Sequence, residues 1–583
     1  MTQAGDFAKR SQAIARSFLQ TVVVVDDHPH YLNNGASPKP ERLREPESVM
    51  EAIGGWKGSP AQSVPIPGDT SAPLDSNALA AGETQDTGTS TGRETEPEHE
   101  IDSRTLVDGL ADLGLVCGLL VPATDDPDVP AKAVRAAHRA DVVVLDWHLL
   151  GDRGETALGI LEQIVTGDVD GRLRVIAIYT GQATILPIVD EVRKRLDQTL
   201  SNLSRRYELV PVDDFTVQAG PIRVSVFAKP NALIHRSNEA LWHRMVSEDQ
   251  LPERLIAEFA AMTGGLVSNV ALKSLCVLRE RTYELLGRLH SRLDAPFLAH
   301  RALLDTPDDA DDQIASVVAS EIAELIYAAS AGEMAGKTAI QEWIAGHSDR
   351  EWRLGSRPSK GSKLTVEEVL DLVLNGASKS RAVKNIKKPH LSLTPLFCPD
   401  DGADALDFEF ARLTSMSDWR SKDGVSRERN VPFLSLGTVL QRIGAQPAGD
   451  DETYWLCVQP RCDSVRLPER RRFPLIPLLK VDDSRAFRVV AINQAGMDVR
   501  LCPELKPYEL NNMWFAAGTG NGPIFATRRD HDFLFSSLED GDYLWLGDLK
   551  HEQAQRIAHE FASQMSRVGL EESEWLRRSA QRG

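Results

Sequence analysis

Five side chains in the first half of the chain could together move a phosphoryl group. Asp26 and Asp27 follow the run TVVVV, and Asp146 closes DVVVLD. Thr180 closes RVIAIYT, and Lys229 follows VSVFA and precedes Pro230. Carboxylates crowded together repel one another and raise each other's pKa unless a cation lies among them. Mg²⁺ suits oxygen donors and keeps part of its water shell, so two or three carboxylates and a carbonyl suffice. A carboxylate can attack phosphorus to give an aspartyl phosphate. Transfer then needs positive charge on the phosphoryl oxygens, which a metal and a lysine supply. A hydroxyl on a neighbouring strand can bond to the product.

The surrounding pattern must bring these residues to one edge. TVVVVDD (21–27) and DVVVLDW (141–147) are β-branched runs that end abruptly in charge, as buried parallel strands do. Helical spacing marks IDSRTLVDGLADLG (101–114), AKAVRAAHRA (131–140), TALGILEQIV (156–165) and ILPIVDEVRKRLDQTL (185–200). LVCGLLVP (115–122) and RLRVIAIYTG (172–181) read as strands. One or two short extra strands and a last strand at 222–228 follow within 207–230. Five β-α pairs in this order predict an α/β, doubly wound, five-stranded parallel sheet with helices on both faces. Working residues of such sheets sit at the carboxyl ends of the strands.

The rest divides by composition. Residues 31–100 are rich in Pro, Gly, Ser, Thr and acid without helical or strand period, which predicts a disordered insertion. The α/β domain therefore comprises 1–30 plus 101–237. Helical period dominates the start of 238–390, an α-helical module that ends in a basic segment. Short, Pro-bounded, aromatic signals make 391–583 a mostly β domain with a C-terminal helix.

At 583 residues, with 42% apolar and 26% charged, the chain reads as a multidomain protein. Six cysteines are too few for a disulfide scaffold and fit a reducing compartment. No apolar run reaches the roughly 18–20 residues that span a bilayer, and the start lacks a signal peptide's apolar region. The expectation is a cytoplasmic protein without a membrane partner. A net charge of −19 argues against broad nucleic-acid coating and leaves room for a local basic patch.

On these residues the chain resembles the receiver domain of two-component response regulators, a flavodoxin-like fold. The resemblance covers Thr21 to about Gly264 with the insertion excised. It rests on Asp26–Asp27, Asp146, Thr180, Lys229–Pro230, Phe227 two places before the lysine, and Gly154 eight places after Asp146. It implies that Asp146 accepts the phosphoryl group, and that Asp26, Asp27, Asp146 and the His148 backbone carbonyl hold Mg²⁺. Thr180 and Lys229 would contact the phosphate, and Lys229–Pro230 would be a cis peptide. A histidine kinase or kinase-like ATPase is the implied partner, and a homodimer is a further expectation. Leu149–Leu150 departs from the usual Met-Pro, and Gly181 from the usual Ala. The C-terminal half resembles, only loosely, large receiver-containing proteins of bacterial conflict and antiphage operons.

The resulting expectation is a signal-transduction response regulator, not an enzyme, that relays phosphorylation of Asp146 to a C-terminal effector or interaction region. One alternative is a DNA-binding transcriptional regulator that uses the basic 350–390 segment, including Lys384, Lys387 and Lys388. Another is an unphosphorylated docking adaptor for a kinase-type ATPase. Cys457 and Cys462, with Cys398 and Cys502, raise a four-thiolate zinc site, against a reading as buried small hydrophobes. Arg470–Arg472 read as a solvated loop, as do His28 and His30.

Overall fold

The computed structural model describes residues 4–30, 101–122, 128–168, 171–182, 184–203, 207–230, 239–354, 362–380, 393–398, 402–421, 431–443, 452–467, 470–482, 486–516, 522–539 and 541–565. The whole of the 31–100 insertion, and Lys384, Lys387 and Lys388, lie outside them. The chain divides into two compact units, Met1–Glu342 and Trp343–Gly583.

In the first unit the β-branched runs are central strands. The sheet contains β1 (Thr21–Val25), β2 (Val116–Leu120), β3 (Val142–Asp146), β4 (Arg174–Thr180), β5 (Leu209–Asp213), β6 (Thr216–Ala219) and β7 (Ile222–Ala228). Their spatial order is β2-β1-β3-β4-β7-β6-β5. The first five positions are parallel, in the 2-1-3-4-5 order of a flavodoxin-like sheet with β7 as the fifth strand. The β5–β6 hairpin extends it antiparallel beyond β7. Every residue of β3, β4 and β7 is buried, which explains why these strands read as unbroken apolar runs.

Helices cover both faces. On one side α3 (Val129–Ala137), α4 (Glu155–Gly167) and α5 (Leu186–Ser201) pack on Val143, Leu145, Ile176, Ile178, Val224 and Val226. On the other, α1 (Ala4–Phe18), α2 (Ser103–Asp112), α6 (Leu251–Thr263) and α7 (Leu266–Glu280) cover Val22, Val24, Val142, Val144, Val175 and Ala177. Sequence reading had placed α6 in a separate helical module, yet it lies on the sheet. It supplies Leu255, Ile256 and Phe259 to the core. A buried ionic cluster holds it there. Glu258 accepts from Arg223 of β7 at 2.8 Å and from Arg244 at 3.4 Å, and Arg244 also reaches Asp213 at 2.6 Å. Helix α1 was not anticipated. Its Phe18 stacks on Phe259 at 5.5 Å, and its Arg10 forks onto Glu342 at 2.7 and 2.8 Å. The outer helices α8 (Thr282–Arg288), α9 (Asp294–Leu303) and α10 (Asp309–Ala328) bury few side chains. α11 (Lys337–Gly346) spans the division between the units. No single helix among the described residues is long and apolar enough to cross a membrane.

The second unit is mostly β, with α12 (Val366–Asn375), α13 (Thr394–Phe397), α14 (Ala403–Ser415) and a final α15 (His551–Met565). Helix α12 starts on a Thr365/Glu368 capping box. Its ten-stranded sheet contains β8 (Met416–Trp419), β9 (Thr438–Ile443), β10 (Tyr454–Cys457), β11 (Arg470–Lys480), β12 (Val489–Ile492), β13 (Asp498–Pro503), β14 (Asn511–Ala516), β15 (Thr527–Arg529), β16 (Asp532–Ser537) and β17 (Gly541–Leu549). Antiparallel pairings run β9-β10-β11-β14-β16-β17 and return to β9, so six strands close into a barrel. Strand alternation sorts the side chains. Leu440, Cys457, Phe473, Leu475, Met513, Phe515, Phe533, Phe535, Tyr543 and Trp545 form one core cluster, which fills the barrel. Val439, Leu456, Ile476, Leu534 and Leu544 belong to the other, which α15 covers with Ile557 and Phe561. Cys457 is thus a barrel residue whose thiol burial pushes up to about 12. No group of three or more metal-ligating side chains forms among the described residues, so the four cysteines are not gathered for zinc there.

Phe259→Ala should lower stability by about 3–5 kcal/mol, because its ring lies against the sheet and Phe18 at once. Urea titration of the full chain checks this, and a change under 1 kcal/mol would remove α6 from the core.

Candidate functional site

Parallel alignment carries the expected residues to one edge. Val25 pairs with Leu145, Asp146 with Tyr179, and Thr180 with Ala228, so Asp26, Asp146, Thr180 and Lys229 stand on adjacent strand ends. Lys229 begins two strands away from Asp146 and three from Asp26, yet its ammonium lies 3.0 Å from Asp146 Oδ1 and 3.2 Å from Asp26 Oδ2. Its backbone N–H donates to the Thr180 carbonyl at 2.7 Å, which extends the β4–β7 ladder to the lysine. The Tyr179 ring lies 5.5 Å from the ammonium. All three charged groups are nearly sealed, at 2% exposure for Asp26, 4% for Asp146 and 2% for Lys229.

The second carboxylate oxygens are held by backbone. His28 N–H donates to Asp26 Oδ1 at 2.8 Å, and His148 N–H to Asp146 Oδ2 at 2.7 Å. Asp27 Oδ2 accepts from Leu150 N–H at 2.8 Å, whereas the buried Oδ1 makes no hydrogen bond and lies 3.1 Å from Nδ1 of His28. Thr180 Oγ1 accepts from Gln182 N–H at 3.2 Å. The side chains of Gln182 and His148 meet at 2.5 Å, and His148 Nδ1 lies 3.1 Å from the Asp152 carbonyl. Asp152 in turn caps α4 by accepting from Gly154 and Thr156 N–H. Gly154 is at φ +94°, and a Cβ there would come within 2.2 Å of the Trp147 ring.

Leu150 explains one departure from the resembled pattern. It sits in the left-handed region at φ 59°, and its N–H is the donor to Asp27. Proline can supply neither that backbone angle nor the donor. A second expectation is corrected. The Lys229–Pro230 peptide is trans, as are all peptides among the described residues. Trans is the lower-energy isomer, and the lysine reaches both carboxylates from it.

Electrostatically the edge carries excess negative charge. Burial raises the Asp26 pKa, and the Asp146 charge adds to this, while Lys229 opposes it. Burial works against the Lys229 ammonium, but the charges of Asp146 and Asp26 outweigh it and its pKa is raised. A fourth acid was not foreseen. Glu248, just before α6, has a carboxyl raised by burial and feels the charges of Lys229 and Asp102. It also interacts with the Tyr179 hydroxyl, which donates to the Val246 carbonyl at 2.8 Å. Nothing in its local sequence marks it, because its position depends on the docking of α6.

Whether this set suits Mg²⁺ can be judged on donors. Asp26, Asp27 and Asp146 offer only oxygen, and the buried Asp27 Oδ1 makes no hydrogen bond, with His28 Nδ1 at 3.1 Å beside it. That chemistry fits a hard cation. The His148 carbonyl already accepts from Gly151 N–H at 3.0 Å and keeps a second lone pair. The ammonium of Lys229 occupies the space between Asp26 and Asp146. With the lysine there, no three acid, histidine or cysteine side chains among the described residues are placed to hold a metal ion together.

Residues 18–233 match the family model of the response receiver domain, somewhat over a third of the chain. No curated protein and no solved structure matches.

Leu150→Pro should destabilise the chain by about 3 kcal/mol, whereas Leu150→Gly should be neutral or stabilising, as it keeps the donor and relieves the positive φ. Chemical denaturation checks both. A second outcome concerns pH. A raised folded-state pKa at Asp26 means that its ionisation costs stability, so stability is lost as pH rises from the ordinary carboxylate range through that pKa. Asp26→Asn should therefore be more stable than wild type at pH 7. The advantage should shrink as pH falls into the ordinary carboxylate range, in a series of urea titrations.

Proposed function

We propose that the chain is a phosphorylation-dependent response regulator, with Asp146 as the phosphoacceptor. The observation that carries this reading is the Lys229 ammonium held between Asp146 and Asp26 at the carboxyl edge of a 2-1-3-4-5 sheet. The family match supports it over 18–233.

In this reading a carboxylate oxygen of Asp146 attacks the phosphorus of a donor such as phosphohistidine. One P–O bond forms, the P–N bond breaks, and the leaving imidazole takes the electron pair and a proton from solvent. Asp26, Asp27, Asp146 and the His148 carbonyl would hold Mg²⁺, which when bound neutralises phosphoryl oxygens. Lys229 loses one carboxylate partner as Asp146 becomes an acyl phosphate, and its ammonium is free to pair with the new phosphoryl oxygens. Thr180 Oγ1 sits on the adjacent strand end, where its hydroxyl can donate to them. The backbone N–H of His148, now on Asp146 Oδ2, keeps that carboxyl oriented.

The charge change reaches beyond the strand ends. Lys229 faces Tyr179, and Tyr179 bonds to the segment that leads into α6. A shift of the ammonium toward a phosphoryl group would alter the balance at Tyr179 and Glu248. The relay we infer therefore runs through the Val246–Glu248 segment toward the helices that follow. The partner is a histidine kinase or kinase-like ATPase, and the setting is cytoplasmic.

The test is intact mass after incubation with acetyl phosphate, with and without Mg²⁺, for wild type and Asp146→Asn. One added phosphoryl group, absent from the variant and without Mg²⁺, is expected. No adduct under conditions that load a control receiver would refute the proposal and favour an unphosphorylated docking role.

A further inference from the structure

The end of the C-terminal barrel where β11 begins and β14 finishes carries arginines stacked on aromatic rings. On β11, Phe473 and Leu475 point into the barrel, which leaves Arg470 and Arg472 on the outside. On β14, Met513 and Phe515 point inward, which leaves Trp514 outside, directly across from Arg472. Both guanidinium groups lie over the indole, Arg472 at 4.8 Å and Arg470 at 5.3 Å. Arg470, Arg471 and Arg472 are all exposed, and none has a carboxylate within ion-pair distance among the described residues.

The same end gathers a second stack. Antiparallel pairing brings the start of β9 and the end of β10 to this end as well, so the described residues before β9 and after β10 adjoin it. Leu467 bridges Gly522, and Phe433 bridges Phe525. Arg461 lies 5.4 Å from the Phe433 ring, and Phe433 meets Phe525 edge to face at 6.3 Å. Phe525 is 57% exposed. A chain of net charge −19 thus concentrates arginines, an outward tryptophan and an exposed phenylalanine at one barrel end.

We infer that this end of the barrel binds single-stranded nucleic acid, with bases stacked on Trp514 and Phe525 and phosphates on Arg470 and Arg472. The chemistry favours a single strand. Flat rings and guanidinium planes take unstacked bases, which a duplex hides, and exposed arginines match phosphates. An acidic peptide would use the cations and leave the rings without a partner. This surface is distinct from the basic 350–390 segment. It does not depend on the phosphoacceptor reading, so the two stand or fall separately.

The test is fluorescence anisotropy of the full-length protein with labelled oligo(dT), oligo(U) and a blunt duplex of equal length, over a range of salt. Single strands should bind more tightly than the duplex, with affinity falling as salt rises. Arg470→Ala/Arg472→Ala should weaken binding and flatten the log–log salt slope by about 1.4, the value for two phosphates released from a single strand. Phe525→Ala should weaken binding roughly ten-fold with the salt slope unchanged, as loss of one base stack would. All these side chains lie at the surface, and unchanged melting temperatures would show that the fold is kept. The inference is overturned if no single strand binds at low salt, if duplex binds as tightly, if polyglutamate competes as well as oligonucleotide, or if both folded variants bind like wild type.

Discussion

A buried ammonium between two buried carboxylates is the constraint on which the first unit depends. Lys229, Asp26 and Asp146 are each at most 4% exposed, and an isolated charge at that depth is costly. The two acids make the lysine tolerable, while burial and their mutual repulsion keep Asp26 reluctant to ionise. The three residues come from strand ends far apart in sequence, so the parallel sheet must be complete before the cluster exists. The helices on either face serve that end. Phe18, Phe259 and the Arg223–Glu258–Arg244 cluster press the sheet from one side, and α3, α4 and α5 from the other.

The cluster is also poised for change. Conversion of Asp146 to an acyl phosphate would remove one carboxylate partner of Lys229 and supply anionic phosphoryl oxygens nearby. Backbone donors from His28, His148 and Leu150 already fix the carboxylates, so little reorganisation is needed before reaction. The insertion is compatible with this. Its ends meet as a two-residue parallel pair, Pro29–His30 with Ile101–Asp102, and the backbone re-enters the fold at α2 from there. Closing a long loop costs little more than closing a short one.

Much of this was legible in the sequence because buried parallel strands write themselves as β-branched runs. DVVVLD and VSVFAK show both the strand and the residue at its end, and the last strand falls at 222–228 as its pattern indicates. Helix α1 was missed because its apolar positions are sparse and its partners, α6 and α7, lie more than 200 residues away. Glu248 and the membership of α6 in the sheet layer were invisible for the same reason, since they exist only through tertiary docking. Leu150 was seen as a departure from a pattern, and only its positive φ and its bond to Asp27 give that departure a cause. In the second unit short aromatic strands announced β structure, but closure of a barrel is set by pairings that no local period records. The outward Trp514 between Arg470 and Arg472 follows from that closure.

The most direct test of the account is to trap the acyl phosphate chemically and map it. Protein treated with acetyl phosphate and Mg²⁺, reduced with borohydride and digested, should carry the reduced residue at position 146 alone. Reduction mapped to Asp26 or Asp27, or to no carboxylate at this edge, would contradict the assignment of Asp146 and with it the role given to Lys229.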